Sequence, residues 1–322
     1  MTENLRVAVL GCGYWGKNLV RNFSELGALG GVVDPIPEVA QKFAQTYNVK
    51  AYSNEELFAS PDIDAVAIAA PAQYHGDLAK RAFAAGKHVY VEKPIALSIE
   101  EGEEMQAASI AAGKVLMVGH LLQYHPAFVR LREFVQAGEL GKLFYGYSNR
   151  LSLGKFRVEE NVLWSFAPHD ISMLLSLFEE QPDEVIGRSG AYITEGVADE
   201  YHVDMTFPSG ARAHVFASWL HPFKEQKLVV TGEKGMVVFE DSEPDKNKKL
   251  RFYRHGVDTS GREPIPEKAD VEYLDYDLEA EPLKAECQHF IDCCVSGEAP
   301  YTDSKEALRV LKVMVDAGIV TR

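Results

Sequence analysis

The sequence Gly11-Cys12-Gly13-Tyr14-Trp15-Gly16 lies between the apolar run Leu5–Leu10 and the helical pattern Asn18–Leu26. This order predicts a strand, a glycine turn and a helix. Gly11 suits a tight turn, Gly13 leaves the backbone open to a pyrophosphate, and Gly16 lets the helix pack closely on the strand. Unpaired amides at the helix start favour phosphate. The stretch therefore predicts a dinucleotide-binding unit, in which Tyr14 and Trp15 also contact the cofactor.

A carboxylate about twenty residues further on supports this prediction. The apolar run Leu29–Val33 ends in Asp34. An acid at the tip of the second strand accepts hydrogen bonds from a ribose diol and repels a 2′-phosphate. Two prolines flanking Ile36 follow it, with no Arg or Lys, so the sequence favours NAD over NADP. The alternative is an ordinary glycine turn followed by a loop aspartate.

Bulk properties exclude several classes of protein. The 322 residues, 46% of them hydrophobic, allow two domains with real cores. A net charge of −15, spread along the chain, argues against a nucleic-acid partner. No leader and no apolar run of about 20 residues is evident, so we expect a soluble, cytoplasmic protein with no membrane contact. The four cysteines lack the spacing of a zinc site or a disulfide scaffold, and no metal is expected.

The first part of the chain continues as alternating strands and helices. Buried strands are predicted at Ala65–Ala70, His88–Val91 and Val115–Val118, with helices at His75–Ala85 and Ile99–Ala112. The prediction is an α/β protein whose residues 1–122 form an NAD-binding Rossmann domain, a doubly wound parallel sheet. Ligands bind at the carboxyl ends of such strands. Those ends are Gly11, Asp34, Ala70-Pro71, Glu92-Lys93-Pro94 and Gly119-His120.

The pattern changes after Pro126. One helix is followed by mostly β segments with apolar and polar residues in alternation, as in Tyr201–Phe207, and by hairpin turns such as Pro208-Ser209-Gly210. Residues 123–322 are therefore predicted to form a substrate-binding and oligomerisation domain. Its fold is α+β with a large, mostly antiparallel open sheet. Amphipathic helices at Lys284–Val295 and Ser304–Ala317 close the chain, and whether they pack back on the first domain is left open.

Two motifs resemble those of a known family. Ala69-Ala70-Pro71 with His75 four residues on, followed by Glu92-Lys93-Pro94, is similar to the paired signature of the glucose–fructose oxidoreductase/inositol dehydrogenase (Gfo/Idh/MocA) family. The resemblance implies that Ala70, Pro71 and His75 line the adenine–ribose side of the cofactor. It places Lys93 beside the nicotinamide and the reacting carbon, with Glu92 also at the cofactor. A solvated loop lysine is the alternative for Lys93.

A linker motif follows the sixth predicted strand, at Gly119–Pro126. The family commonly has an Arg before an aromatic here, and Gln123 stands in that place, so a cationic contact is replaced by an amide toward the cofactor. The side chains of His120, Tyr124 and His125 could donate to sugar hydroxyls. The alternative for each is a hydrogen-bonded linker residue.

A histidine is expected to supply the second half of the active site. Pro168 fits the first turn of a helix, which would place His169 at the helix start, facing the cleft between the domains. In the family an Asp four residues before this His orients the imidazole, and here that position is Ser165. Asp170 points about 100° away from its neighbour and cannot replace the acid. More of the chemistry is therefore expected from Lys93.

The sequence around His169 resembles that of the branch of the family that acts on nucleotide-activated amino sugars. Asn161, Leu163-Trp164 and Pro168-His169-Asp170 carry this likeness, and Asn161 and Trp164 are predicted substrate contacts. Members of that branch oxidise the sugar C3 hydroxyl to a ketone for a following aminotransferase. Three basic residues would suit the diphosphate of a nucleotide sugar, or alternatively form an ordinary basic loop. They are Arg150, Lys155 and Arg157.

The sequence thus predicts an NAD-dependent oxidoreductase acting on a small molecule, most simply a UDP-linked N-acetylated amino sugar. Lys93 would orient the reacting oxygen and His169 would accept its proton. An open sheet face carrying Phe216 and Leu220 predicts a homodimer or homotetramer. Two alternatives stay open, a dehydrogenase of a free sugar or inositol and a non-catalytic NAD-binding regulator.

Overall fold

The computed structural model describes residues 5–154, 156–158 and 160–318. The chain divides into two compact units. The first contains the described residues up to Tyr124 together with Glu281–Leu311, and the second contains His125–Ala280 and the described residues from Lys312 onward. Residues 281–311 therefore belong to the first unit. The sequence leaves open whether the C-terminal helices pack on that unit, and this segment contains the first of them.

A parallel sheet forms the centre of the first unit, and within the described residues it has six strands. In spatial order they are β3 (Lys50–Ala51), β2 (Leu29–Val33), β1 (Val7–Leu10), β4 (Ala65–Ile68), β5 (His88–Glu92) and β6 (Leu116–Gly119). Every neighbouring pair among them is parallel. The apolar runs of β1 and β4 are completely buried, as expected for strands covered on both faces. The predicted doubly wound sheet is confirmed.

Helices connect these strands, and side chains cap two of them. They are α1 (Gly16–Glu25), α2 (Pro37–Tyr47), α3 (Asn54–Ala59), α4 (His75–Ala84) and α5 (Ile99–Ala112). Ser53 and Glu56 form a reciprocal capping box on α3, and Ser98 caps α5. The C-terminal helix α8 (Pro282–Ser296) packs on this unit, with the rings of Phe23 and Phe290 6.3 Å apart.

The second unit has a large mixed sheet, confirming the predicted α+β domain. In spatial order its described strands are β16 (Val271–Tyr273), β13 (Leu250–Tyr253), β12 (Gly235–Glu240), β11 (Leu220–Gly232), β7 (Leu143–Leu153), β10 (Arg212–Ser218), β9 (Glu200–Thr206) and β8 (Glu184–Gly190). Neighbours are antiparallel apart from β7 and β10. A small hairpin pairs β14 (Gly256–Asp258) with β15 (Ile265–Glu267).

The helices of the second unit are α6 (Pro126–Gln136) and α7 (Val162–Phe178), and α9 (Ser304–Gly318) ends in it. The prediction that Pro168 opens the helix before His169 is wrong, because α7 starts two turns earlier. The Asn161 side chain accepts a hydrogen bond from the Trp164 amide at 3.3 Å and caps the helix. Pro168 removes one helical hydrogen bond from the interior, and the buried apolar face of α7 offsets that loss.

Candidate functional site

The three glycines of the loop between β1 and α1 have different surroundings. Gly11 has a φ of +93°, and a Cβ there would lie 2.9 Å from the Ala69 carbonyl oxygen. A Cβ on Gly16 would lie 1.8 Å from the Gly11 carbonyl oxygen. Both positions therefore need glycine for the fold itself. A Cβ on Gly13 would meet no atom of the described chain within 4 Å, so the bare backbone there suits a ligand rather than packing.

Asp34 joins the end of β2 to this loop. Its carboxylate accepts hydrogen bonds from the amides of Cys12, at 2.8 Å, and Ile36, at 3.0 Å. A carboxylate has about four acceptor sites, so these two bonds leave acceptor capacity for a ribose diol. An open glycine, a helix start and a strand-end acid at one edge of the sheet fit an NAD molecule.

His75 lies at the start of α4 and is almost completely buried. Its Nδ1 lies 2.9 Å from the Pro94 carbonyl oxygen and its Nε2 lies 2.8 Å from the Ala70 carbonyl oxygen. Desolvation lowers the pKa of His75, against the effect of these two contacts. His75 therefore links the segment after β4 to the segment after β5 and supports Ala70. Its place on the adenine–ribose side of the cofactor stays a prediction.

Glu92 ends β5 and holds the glycine loop through a side chain. Its Oε1 accepts a hydrogen bond from the Trp15 indole N–H and lies 3.2 Å from the Tyr90 hydroxyl. Burial raises the pKa of Glu92, although Trp15 and Lys93 both favour its ionised form. Lys93 follows at once, half-buried, at the carboxyl end of the strand. The strand end thus carries both the support for the loop and the predicted catalytic lysine.

Two members of this network were missed in the sequence. The hydroxyl of Tyr90 also lies 3.1 Å from Oε2 of Glu286, which lies on α8. Tyr90 is the middle residue of β5, whose three central residues are all buried, so its position indicates only a core residue. Nothing near Glu286 in the chain relates it to Glu92. A fully buried acid in an otherwise amphipathic helix is the one signal that could have found it.

The linker residues before position 125 serve the fold of the first unit. Gln123 is buried in the turn Leu121–Tyr124. His120 is buried, with Nδ1 2.6 Å from a Glu306 carboxylate oxygen. The buried hydroxyl of Tyr124 lies 3.1 Å from that of Thr302. The two predicted sugar contacts, His120 and Tyr124, match the alternative of hydrogen-bonded linker residues, and our proposal for the substrate leaves them out.

His125 serves the fold of the second unit in the same way. Its Nδ1 accepts a hydrogen bond from the Ala127 amide at 3.2 Å and caps α6. Its Nε2 lies 3.4 Å from an oxygen of Asp241, which also binds Lys249 at 2.7 Å. Although burial opposes ionisation, His125 and Lys249 hold the pKa of Asp241 well below its usual range. Both ring nitrogens of His125 are engaged, so the sugar contact predicted for it is also left out.

The predicted cationic cluster is divided by the fold. Arg150 on β7 is buried and forms a two-point ion pair with Asp170 on α7, whose carboxylate also accepts the Ser148 hydroxyl at 2.5 Å. This pair balances the charge of the guanidinium within the fold, so our proposal for the substrate leaves Arg150 out of the diphosphate contacts. Both oxygens of the Asp170 carboxylate are thus engaged by Arg150 and Ser148.

The remaining predicted substrate residues lie near the start of α7. The exposed Arg157 pairs with Glu160, while Asn161 is engaged as the helix cap. Trp164 is half-buried in the first turn, and Ser165 lies one turn before the half-buried His169. Lys155 lies outside the described residues.

Comparison with known proteins places this architecture in a family. The family described as "Oxidoreductase family, NAD-binding Rossmann fold" matches residues 5–120. The "GFO/IDH/MocA C-terminal domain" matches residues 128–238. The chain belongs to the Gfo/Idh/MocA oxidoreductase family. It is an oxidoreductase that binds NAD, as predicted, and the alternative of a non-catalytic regulator is dropped.

Several relatives are similar along almost the whole chain. The UDP-N-acetylglucosamine 3-dehydrogenase of Acidithiobacillus ferrooxidans is 27% identical over 98% of this chain and 97% of its own length. A solved structure of that enzyme has a TM-score of 0.86, with 26% identity and 99% of each chain covered. The NAD-dependent scyllo-inositol 2-dehydrogenase of Bacillus subtilis is 27% identical over 98% of this chain and 94% of its own length. Sugars and polyols are therefore the substrate class of the family to which this chain belongs.

No helix among the described residues is long and apolar enough to cross a bilayer. No cluster of three or more His, Cys, Asp or Glu side chains with metal-binding geometry occurs in residues 5–154, 156–158 and 160–318.

Proposed function

We propose that this protein oxidises the C3 hydroxyl of UDP-N-acetylglucosamine, or a near analogue, to a ketone with NAD as the hydride acceptor. The observation that carries the reaction type is the sheet edge where open Gly13, Asp34 and Lys93 all follow strand ends. The similarity to the UDP-N-acetylglucosamine 3-dehydrogenase over 98% of the chain supports this substrate. The 3-keto product would be consumed by an aminotransferase.

Oxidation of a carbinol removes a hydride from carbon and a proton from oxygen. NAD, when bound, supplies the hydride acceptor. Gly13 and Asp34 bind the pyrophosphate and the ribose diol. Lys93 donates a hydrogen bond to the reacting oxygen and stabilises negative charge that develops on it. His169 accepts the hydroxyl proton. Trp164 and Arg157 contact the substrate.

A free polyol such as an inositol is the second candidate substrate. The Arg150–Asp170 pair favours it, because that pair removes one of the cations that would have met a diphosphate. The identity to the scyllo-inositol dehydrogenase is also 27%, the same as to the nucleotide-sugar enzyme. Sequence identity alone therefore gives no preference between the two substrate classes.

A substrate panel separates the two candidates. Purified protein with NAD is given UDP-N-acetylglucosamine, UDP-N-acetylgalactosamine, free N-acetylglucosamine, scyllo-inositol and myo-inositol, and absorbance of the reduced cofactor is followed. We expect reduction with the UDP-sugars and not with the free sugar. Turnover with an inositol alone would assign the second candidate. The Lys93→Met variant, given the same panel, controls for contaminating dehydrogenases.

The open face of the second sheet is proposed to join two copies of the chain. Its exposed or half-buried side chains include a stacked pair of His202 and Phe216, with ring centroids 4.2 Å apart, and another of Tyr147 and His214, at 5.3 Å. Intervening residues of the same strands are buried on the other face. Light scattering should report a dimer or tetramer, and Phe216→Glu should shift it toward monomer. A monomeric wild-type protein at micromolar concentration would contradict this interface.

A further inference from the structure

The buried acid Glu286 has no place in the reaction described above. It lies on α8, its side chain is completely buried, and Tyr90 is the partner of its Oε2. Its other oxygen, Oε1, has no hydrogen-bond donor among the described residues. A buried carboxylate with one unpaired oxygen would be strongly unfavourable. The protonated, neutral acid avoids most of that cost.

Counting protons at Tyr90 leads to the same state. The Tyr90 hydroxyl lies 3.2 Å from Oε1 of Glu92 and 3.1 Å from Oε2 of Glu286. A hydroxyl has one proton, and an ionised carboxylate only accepts hydrogen bonds. Both contacts are hydrogen bonds only if one of the two carboxyl groups brings a proton of its own.

The surroundings decide which acid holds this proton. Glu92 also accepts a hydrogen bond from the Trp15 indole, and Lys93 favours its ionised form. Glu286 contacts the Tyr90 hydroxyl. The other titratable groups near enough to interact with it electrostatically are the Tyr124 hydroxyl, the Cys287 thiol and the Glu92 carboxyl. Burial and the neighbouring Glu92 raise the pKa of Glu286 well above its usual range. The proton therefore belongs to Glu286.

The chain of hydrogen bonds that follows has a defined direction. With that proton, Glu286 can donate across the 3.1 Å contact to the Tyr90 oxygen, which leaves the Tyr90 proton for Glu92. The Trp15 indole donates to the same Glu92 oxygen. Gly119 leaves room for the chain, because a Cβ there would lie 2.6 Å from the Tyr90 hydroxyl oxygen. Trp15 is the residue directly before α1, within the loop that meets the dinucleotide.

We propose that Glu286 is a protonated positioning residue that, through Tyr90, fixes the Glu92 carboxylate beneath Trp15 and so holds the glycine loop in its NAD-binding form. The chemistry required of position 286 is donation of one hydrogen bond by a neutral group. The inference depends on the dinucleotide site and is independent of the substrate proposed above.

The test compares Glu286→Gln, whose amide donates the same hydrogen bond, with Glu286→Leu, which cannot. Two measurements use the cofactor-free protein. Infrared spectra at neutral pH should show the carbonyl stretch of a protonated acid in the wild type, and either variant should lose it. Indole N–H resonances of ¹⁵N-labelled protein should shift for Trp15 in Glu286→Leu and stay near wild type in Glu286→Gln. Trp15→Phe assigns the resonance.

Direct titration with NAD is the third measurement. Loss of one hydrogen bond should weaken NAD binding by about 3- to 10-fold in Glu286→Leu, and Glu286→Gln should stay within about twofold of wild type. Tyr90→Phe keeps the ring and removes the linking hydroxyl, so it should reproduce Glu286→Leu if that variant folds poorly. Cys287→Ala is the matched control, a neighbouring buried change outside the chain, and should leave the Trp15 resonance and NAD affinity unchanged.

Three results would overturn the proposal. They are a wild-type spectrum without a protonated acid that depends on Glu286, equal loss of NAD affinity in Glu286→Gln and Glu286→Leu, and an unshifted Trp15 resonance in both Glu286→Leu and Tyr90→Phe. Absence of turnover on every UDP-sugar would overturn the proposed function only. The three measurements on Glu286 need no turnover, so their results would still test the role of Glu286.

Discussion

The carboxyl edge of the parallel sheet and the segment from β7 to the start of α7 use their polar residues differently. At the sheet edge, Asp34 and Glu92 hold the glycine loop and the loop keeps Gly13 open. Around α7, Asp170 neutralises Arg150 and Asn161 caps the helix. The first region is built to receive a cofactor, whereas much of the second region's predicted site chemistry stabilises the fold.

The largest effect is expected at the sheet edge, from Lys93→Met. Removing the ammonium should lower kcat by about 100- to 10,000-fold, because the reacting oxygen loses its charged hydrogen-bond donor. NAD affinity should be retained, since the proposed pyrophosphate and ribose contacts involve Gly13 and Asp34. Steady-state kinetics and direct NAD titration check both parts.

His169→Gln is the matched variant in the second region. Ser165 offers a hydroxyl where the family carries an acid, and a hydroxyl stabilises an imidazolium less than a carboxylate does. We therefore expect His169→Gln to keep measurable activity, with a kcat above that of Lys93→Met. Equal and complete loss of activity in both variants would show that another group orients His169 as well as an acid would. Full activity in Lys93→Met would remove Lys93 from the mechanism.

A large loss of stability is expected within the second region from Arg150→Gln. Breaking a buried ion pair leaves the Asp170 carboxylate uncompensated and should lower the free energy of unfolding by about 3–5 kcal/mol. Denaturant titration measures it. Arg157→Gln changes an exposed arginine and should cost less than about 0.5 kcal/mol. Similar losses in the free energy of unfolding for the two variants would contradict the conclusion that Arg150 is held in a buried ion pair and Arg157 is not.

At the glycine loop, Gly13→Ala and Gly16→Ala should have opposite consequences. The added methyl at position 13 enters open space, so the melting temperature should stay unchanged while NAD binds about tenfold more weakly or worse. The methyl at position 16 collides with the Gly11 carbonyl oxygen and should lower the melting temperature. Calorimetry and NAD titration of both variants decide. Unchanged NAD affinity in Gly13→Ala would remove this loop from the cofactor site.

The smallest effect concerns cofactor choice. Asp34→Ser should weaken NAD binding by about 5- to 10-fold, because a hydroxyl binds the ribose diol less strongly than a carboxylate does. The preference for NAD over NADP should also become smaller, because a hydroxyl does not repel a 2′-phosphate. The ratio of the two dissociation constants is the readout, since disturbance of the Cys12 amide contact would weaken both cofactors alike. Wild-type protein that binds NADP as tightly as NAD would make the assignment of Asp34 wrong.

The contrast also explains what could be predicted from the sequence. Strands, glycines and strand-end acids are local patterns, and the edge of a parallel sheet brings them together, so the fold and the glycine loop were predictable. The pairing of Arg150 with Asp170, and of His125 with Asp241, depends on which strand faces which helix, and local patterns do not contain that information. Pro168 is typical of a first helical turn and Asn161 of a helix cap, so the local pattern allows either start for α7, and the structure has the cap at Asn161.

The most direct test of the proposed reaction follows one atom. UDP-N-acetylglucosamine carrying deuterium at C3 is incubated with wild-type protein and NAD, and the reduced cofactor is analysed by mass spectrometry. The proposed reaction requires that the reduced cofactor gains one deuterium, because the hydride leaves C3. Reduced cofactor without deuterium, or no reduction in the presence of this substrate, would contradict it.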